Sequence, residues 1–82
     1  MVVTVKLFGP FATELQRSEV QVQLAGPQPT VADLRGRLAA AEPALAPLLG
    51  VSRFAVNHEF AREHRALAAS DEIALIGLVS GG

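Results

Sequence analysis

The chain has 82 residues, half of them hydrophobic and 18% charged, with a formal net charge of −1. That length makes one domain with one modest core, burying about 60–65% of the unfolded surface. Dispersed charge, with four Phe and no Tyr or Trp, supplies neither the basic patch nor the stacking platform that would mark a nucleic-acid partner. There is no cysteine, which excludes a disulfide framework and thiolate metal sites. The opening MVVTVKLFG lacks the basic n-region of a signal peptide. No apolar run nears the ~18 residues of a membrane span, so the expected location is cytoplasmic.

Val2 to Phe8 alternates, with Val3, Val5 and Leu7 on one face and Val2, Thr4, Lys6 and Phe8 on the other. Period two with β-branched residues predicts a strand. Gly9-Pro10 breaks it, and Phe11 to Gln16 reads as a turn or two of helix. Val20, Val22 and Leu24 alternate with Gln21 and Gln23 in a second strand, and the link between the strands is too long for a tight hairpin. After a loop over 25–29, Thr30-Val31-Ala32-Asp33 fits a capping box with Asp in place of Glu. Val31, Leu34, Leu38 and Ala41 form the helix's apolar stripe, with Arg35 and Arg37 off it. Pro43 starts a further turn that Gly50 ends. Phe54 to Asn57 is a short strand ending in a turn former, 58–65 a polar loop or short strand, 70–72 a turn, and Ile73 to Ile76 the final strand.

Strands at both ends with a helix between them predict an α+β fold. The compact solution is one main helix packed across a mixed sheet of four to five strands, the β-grasp or ubiquitin-like arrangement. The first and last strands pair in parallel at its centre. The domain is expected to span 1–76, with 77–82 an extended tail.

Side chains offer little chemistry. His58 and His64 with Glu59 and Glu63 do not match a metal-ligand spacing. Asp71-Glu72 sit on a turn with no apolar pocket to raise either pKa. Ser80 has no His placed to activate it, and Gly9 opens no phosphate-binding motif. The distinctive group is Gly81-Gly82. With glycine at about 7% of ordinary composition, such a pair arises by chance on the order of once in two hundred. Two residues without Cβ can thread a narrow channel and present an α-carboxylate to another protein. A carboxylate is a poor electrophile, so it needs activation, most simply as an acyl-adenylate made by a partner with ATP. A sulfur nucleophile could then displace AMP and leave a thiocarboxylate. An extended tail from Leu78 to Gly82 reaches roughly 16 Å, at ~3.3 Å per residue. The bland alternative is a frayed terminus.

With these residues in place, the chain resembles the sulfur-carrier small subunits of molybdopterin synthase, the MoaD/ThiS family. The resemblance rests on Val5-Lys6-Leu7-Phe8-Gly9, Thr30-Val31-Ala32-Asp33-Leu34, Pro43-Ala44-Leu45, Ala55-Val56-Asn57, and the closing 71–76 strand followed by Val79-Ser80-Gly81-Gly82. It departs where the family usually has two prolines, since Gly77-Leu78 stands there and is expected to loosen the tail.

The resemblance implies a protein that is not catalytic alone and binds no cofactor or metal. An E1-like adenylyltransferase activates Gly82 with ATP, and a sulfur donor system converts it to a thiocarboxylate. Two small subunits then dock on a dimer of the large subunit and give sulfur to precursor Z. Gly82 is the reacting group and Gly81 its slim neighbour; Ser80, Val79 and Leu78 are tail contacts. Phe8 and Ile76 are candidates for a docking face on the sheet's bare side. Three rivals stand beside this reading: a carrier for another pathway such as thiamine thiazole, a modifier joined to lysines, and a passive ubiquitin-like binding module.

Overall fold

β1 (Val2–Leu7) buries Val3, Val5 and Leu7 and leaves Val2 and Lys6 exposed, as its alternation dictates. The structure, a computed structural model, describes residues 1–77. Leu78, Val79, Ser80, Gly81 and Gly82, the expected tail, lie outside the described residues. Gly9, at φ 55° and ψ −130°, turns the chain sharply out of β1. That conformation suits a residue without Cβ. The turn launches α1 (Pro10–Leu15), which buries Phe11. β2 (Glu19–Gln23) returns antiparallel to β1, with Val5 opposite Val20 and Val3 opposite Val22.

α2 (Val31–Ala41) is the main helix, and the expected capping box is present. Thr30 N donates to Asp33 Oδ2 at 2.8 Å, and Asp33 N donates to Thr30 Oγ1 at 3.3 Å. The two helical amides that precede Asp33 are also satisfied: Val31 N donates to the Arg65 carbonyl and Ala32 N to the Glu63 carbonyl. The long 60s loop is thereby fastened to the start of the helix, where free amides need acceptors.

The helix buries Val31, Leu34 and Leu38 but not Ala41, which is exposed. Pro43 begins a 3₁₀ turn (Pro43–Leu45), and it is Leu45 of this turn, not Ala41, that joins the core. α3 (Ala46–Leu49) then adds Leu49 to the core. A second correction concerns Arg35, expected off the apolar face. Its side chain is only 23% exposed, and its guanidinium lies 5.1 Å from the Phe54 ring centroid. It grips Glu63 through two bonds of 2.9 and 2.8 Å and also donates to the carbonyls of Leu49 and Ser52. One fork therefore ties α2 to the 60s loop and to the start of the next strand.

That strand, β3 (Ser52–Val56), begins two residues earlier than Phe54. Asn57 and His58, at φ 53° and 71°, make the two-residue turn into β4 (Glu59–Phe60), the left-handed pair that a tight hairpin requires. β5 (Ile73–Gly77) closes the sheet in the order β2-β1-β5-β3-β4. β5 is central; it pairs in parallel with β1 and antiparallel with β3. The helices cover one face over a core that includes Phe11, Phe54, Leu34, Leu38, Ile73 and Leu75. The result is the expected α+β, β-grasp arrangement, with five strands.

Candidate docking face and the root of the C-terminal segment

The helices leave the other face of the sheet open. The parallel register that sets Leu7 beside Leu75 continues one step to bring Phe8 beside Ile76. Phe8 has just left β1 and is 53% exposed, and Ile76 is half-buried. Both line one concavity of about 290 Å³, floored by Ala55 and Ala74 and rimmed by Lys6, His58 and Glu72. The small floor residues follow from register, since Ala55 of β3 lies opposite Ala74 of β5. An apolar hollow with a charged rim is a candidate docking face.

The rim is internally neutralised. Glu72 takes Lys6 Nζ at 3.5 Å on one oxygen and His58 Nε2 at 2.6 Å on the other. Beneath it, Asn57 and Asp71 lock the end of the hairpin to the start of β5. Asn57 Nδ2 donates to Asp71 Oδ1 at 3.0 Å, and Glu72 N donates to Asn57 Oδ1 at 2.9 Å. Asp71 Oδ2 accepts from Ala68 N at 2.8 Å and Arg65 Nη1 at 3.2 Å. The Ala68 amide, with help from Asn57 and Arg65, holds the Asp71 carboxyl below its ordinary pKa. Glu63 is likewise lowered, by its hydrogen bonds from Arg35. The turn roles expected of Asn57 and Asp71 are thus filled. His58 contacts Glu72 and Glu63 contacts Arg35, and among the described residues no group of three or more ligating side chains could hold a metal ion.

Gly77 is the last of the described residues. It is still a strand residue, paired with Ser52, so the ordered strand runs one residue past the expected boundary at Ile76. A Cβ on Gly77 would come within 3.2 Å of Phe11 Cε2 and 3.9 Å of Pro10 Cγ. A side chain at this position would therefore crowd Phe11, while the looser tail expected from Gly77-Leu78 lies outside the described residues.

Several residues of the open face were not singled out from the sequence. Phe60, 54% exposed, stands beside Ala55 in the hairpin register, and the Arg53 guanidinium lies 4.4 Å from its ring centroid. The signal was there in the two-residue turn at Asn57-His58, which fixes that register. Among the described residues no helix is long and apolar enough to cross a membrane.

The ThiS family model matches residues 5–82, diglycine included. No curated protein matches the sequence. Among solved structures, the small archaeal modifier protein SAMP1 of Haloferax volcanii is 32% identical over the whole of both chains, with a TM-score of 0.83. A complex of subunits 1 and 2 of the molybdopterin-converting factor from Helicobacter pylori matches with 25% identity over the whole of both chains, at a TM-score of 0.69. A putative molybdopterin converting factor subunit 1 from Pyrococcus furiosus shares the fold at a TM-score of 0.82, with 18% identity over 96% of this chain and 99% of that one. With that match over nearly its full length and a ubiquitin-like sheet, the chain belongs to the ThiS family.

Proposed function

We propose that the chain is a sulfur carrier that acts as the small subunit of molybdopterin synthase. In this reading the Gly82 carboxylate attacks the α-phosphate of ATP on an E1-like partner, releasing pyrophosphate and forming an acyl-adenylate. The terminal sulfur of a donor persulfide adds at the carbonyl and AMP leaves, giving an acyl disulfide; a second thiolate then attacks the donor's sulfur, forming a disulfide and releasing the thiocarboxylate. That group then serves precursor Z in the active site of the large subunit. The observation that carries the reading is the family match running through Gly81 and Gly82. The Helicobacter pylori complex supports a large-subunit partner, and the hollow holding Phe8 and Ile76 is where that subunit would sit. Gly77, packed on Phe11, would set the direction in which the tail leaves this interface. The test is single-turnover reaction of thiocarboxylated chain with precursor Z and large subunit. The expected result is loss of the thiocarboxylate with formation of the dithiolene product. No transfer to a large subunit that is active with its own partner contradicts the pathway.

A second reading is favoured by the 32% identity to SAMP1 over its full length. A protein modifier would use the same acyl-adenylate but pass it to a lysine amine. Isopeptide-linked products in cells expressing the tagged chain, lost on deleting Gly82, would support this fate.

A further inference from the structure

The sheet has two edges, and they are treated differently. β4 ends one side after two residues, whereas β2 presents five residues, Glu19–Gln23, with no Pro and no Lys. Short strands, Lys and Pro are the usual devices that stop an edge from pairing. Leu24 and Met1 exchange both backbone bonds, at 2.7 and 2.8 Å, and Leu7 N donates to the Ser18 carbonyl. By the antiparallel alternation, Val22 and Val20 also face β1. The N–H and C=O groups of Glu19, Gln21 and Gln23 therefore point out from the free edge.

The geometry points to a second copy of this chain as the occupant of that edge, added antiparallel about a two-fold axis at Gln21. In this register Gln21 meets Gln21, and Glu19 meets Gln23 in both directions. Every outward backbone group of the three residues finds a partner, and a shift of two residues in either direction strands one residue. The side chains agree with the register. Gln21 amides donate to and accept from each other, and each Glu19 carboxylate faces a Gln23 amide rather than its own copy. α2 borders the same edge across a hollow of about 640 Å³ lined by Gln23, Leu24, Asp33, Gly36 and Arg37. β2 lies at the far end of the sheet from β3 and β4, which leaves the hollow at Phe8 and Ile76 open in the pair.

The test is sedimentation equilibrium of the full chain from micromolar to millimolar concentration, with amide exchange read residue by residue. The expected result is a concentration-dependent dimer in which the Glu19, Gln21 and Gln23 amides become protected as it forms. Gln21→Lys sets like charges on the axis, and Gln21→Pro removes an N–H that β1 does not use; each should return the chain to a monomer with unchanged circular dichroism. A wild-type monomer throughout, or a dimer that survives Gln21→Lys, overturns the proposal. Protection of those amides only when another protein is added also overturns it, since the occupant is then not a second copy.

Discussion

At Gly77 two effects of similar kind oppose each other. Glycine in a strand loses about 0.5–1 kcal/mol relative to alanine through chain entropy, while overfilling a packed site costs about 1–3 kcal/mol. The atom met is on the Phe11 ring, 1% exposed and held at 3.2 Å from the would-be Cβ, so the second effect wins. Gly77→Ala should lose about 1 kcal/mol in urea denaturation, and Gly77→Val more. Arg35 poses a different balance. Its carboxylate partner Glu63 is 52% exposed, so the ion pair alone contributes little. The part-buried bonds to the Leu49 and Ser52 carbonyls matter more, and Arg35→Met should lose about 1–3 kcal/mol by the same measurement. Arg35 was not legible in the sequence. Helical spacing tells which residues face the core but not which side chain at the flank can curl over a neighbouring strand.

Asp71 also sets a pH dependence. Its folded pKa lies below the ordinary value, so the unfolded state takes up protons first as pH falls. The stability it contributes is fully present above the unfolded aspartate pKa and is lost as pH falls through the depressed folded value. Glu63 acts in the same direction. Stability should hold from neutrality to about pH 5 for these groups and then decline. Asp71→Asn should be less stable at neutrality and show a shallower acid slope, checked by urea midpoints across pH.

At the scale of elements, the β3–β4 turn carries avoidable strain. His58 holds φ 71°, and a left-handed conformation costs a residue with a Cβ about 1–2 kcal/mol. Its side chain is 84% exposed, so its contact with Glu72 returns little. Glycine relieves the strain but adds freedom to the unfolded chain, about 0.4–1 kcal/mol in the other direction. His58→Gly should therefore raise stability by up to about 1 kcal/mol, read from the thermal midpoint. The strands and the capping box were legible because each is written in a run of neighbours: Val3-Val5-Leu7, or Thr30 with Asp33. The exchange of Ala41 for Leu45 was not legible. A periodic stripe carries no information on where Pro43 and the 3₁₀ turn redirect the chain.

At the scale of the molecule, the fold puts Phe8, Ile76, Ala55 and Ala74 in one hollow although they come from three separate stretches of sequence. Phe8 and Ile76 could be named beforehand because parallel pairing of β1 and β5 follows from the β-grasp order. The rim of Lys6, His58 and Glu72 could not, since it depends on how the hairpin docks against β5. The hollow is a candidate seat for a partner, and the proposed chemistry rests on Gly82 rather than on a described side chain. The most direct measurement is intact mass of the full chain after incubation with an E1-like activating enzyme, ATP, a persulfide donor and a thiol reductant, beside a chain lacking Gly82. The account predicts one oxygen replaced by sulfur in the full chain, with no change in the shortened chain and its fold intact. An unmodified full chain in the presence of an enzyme active on its own carrier would contradict it.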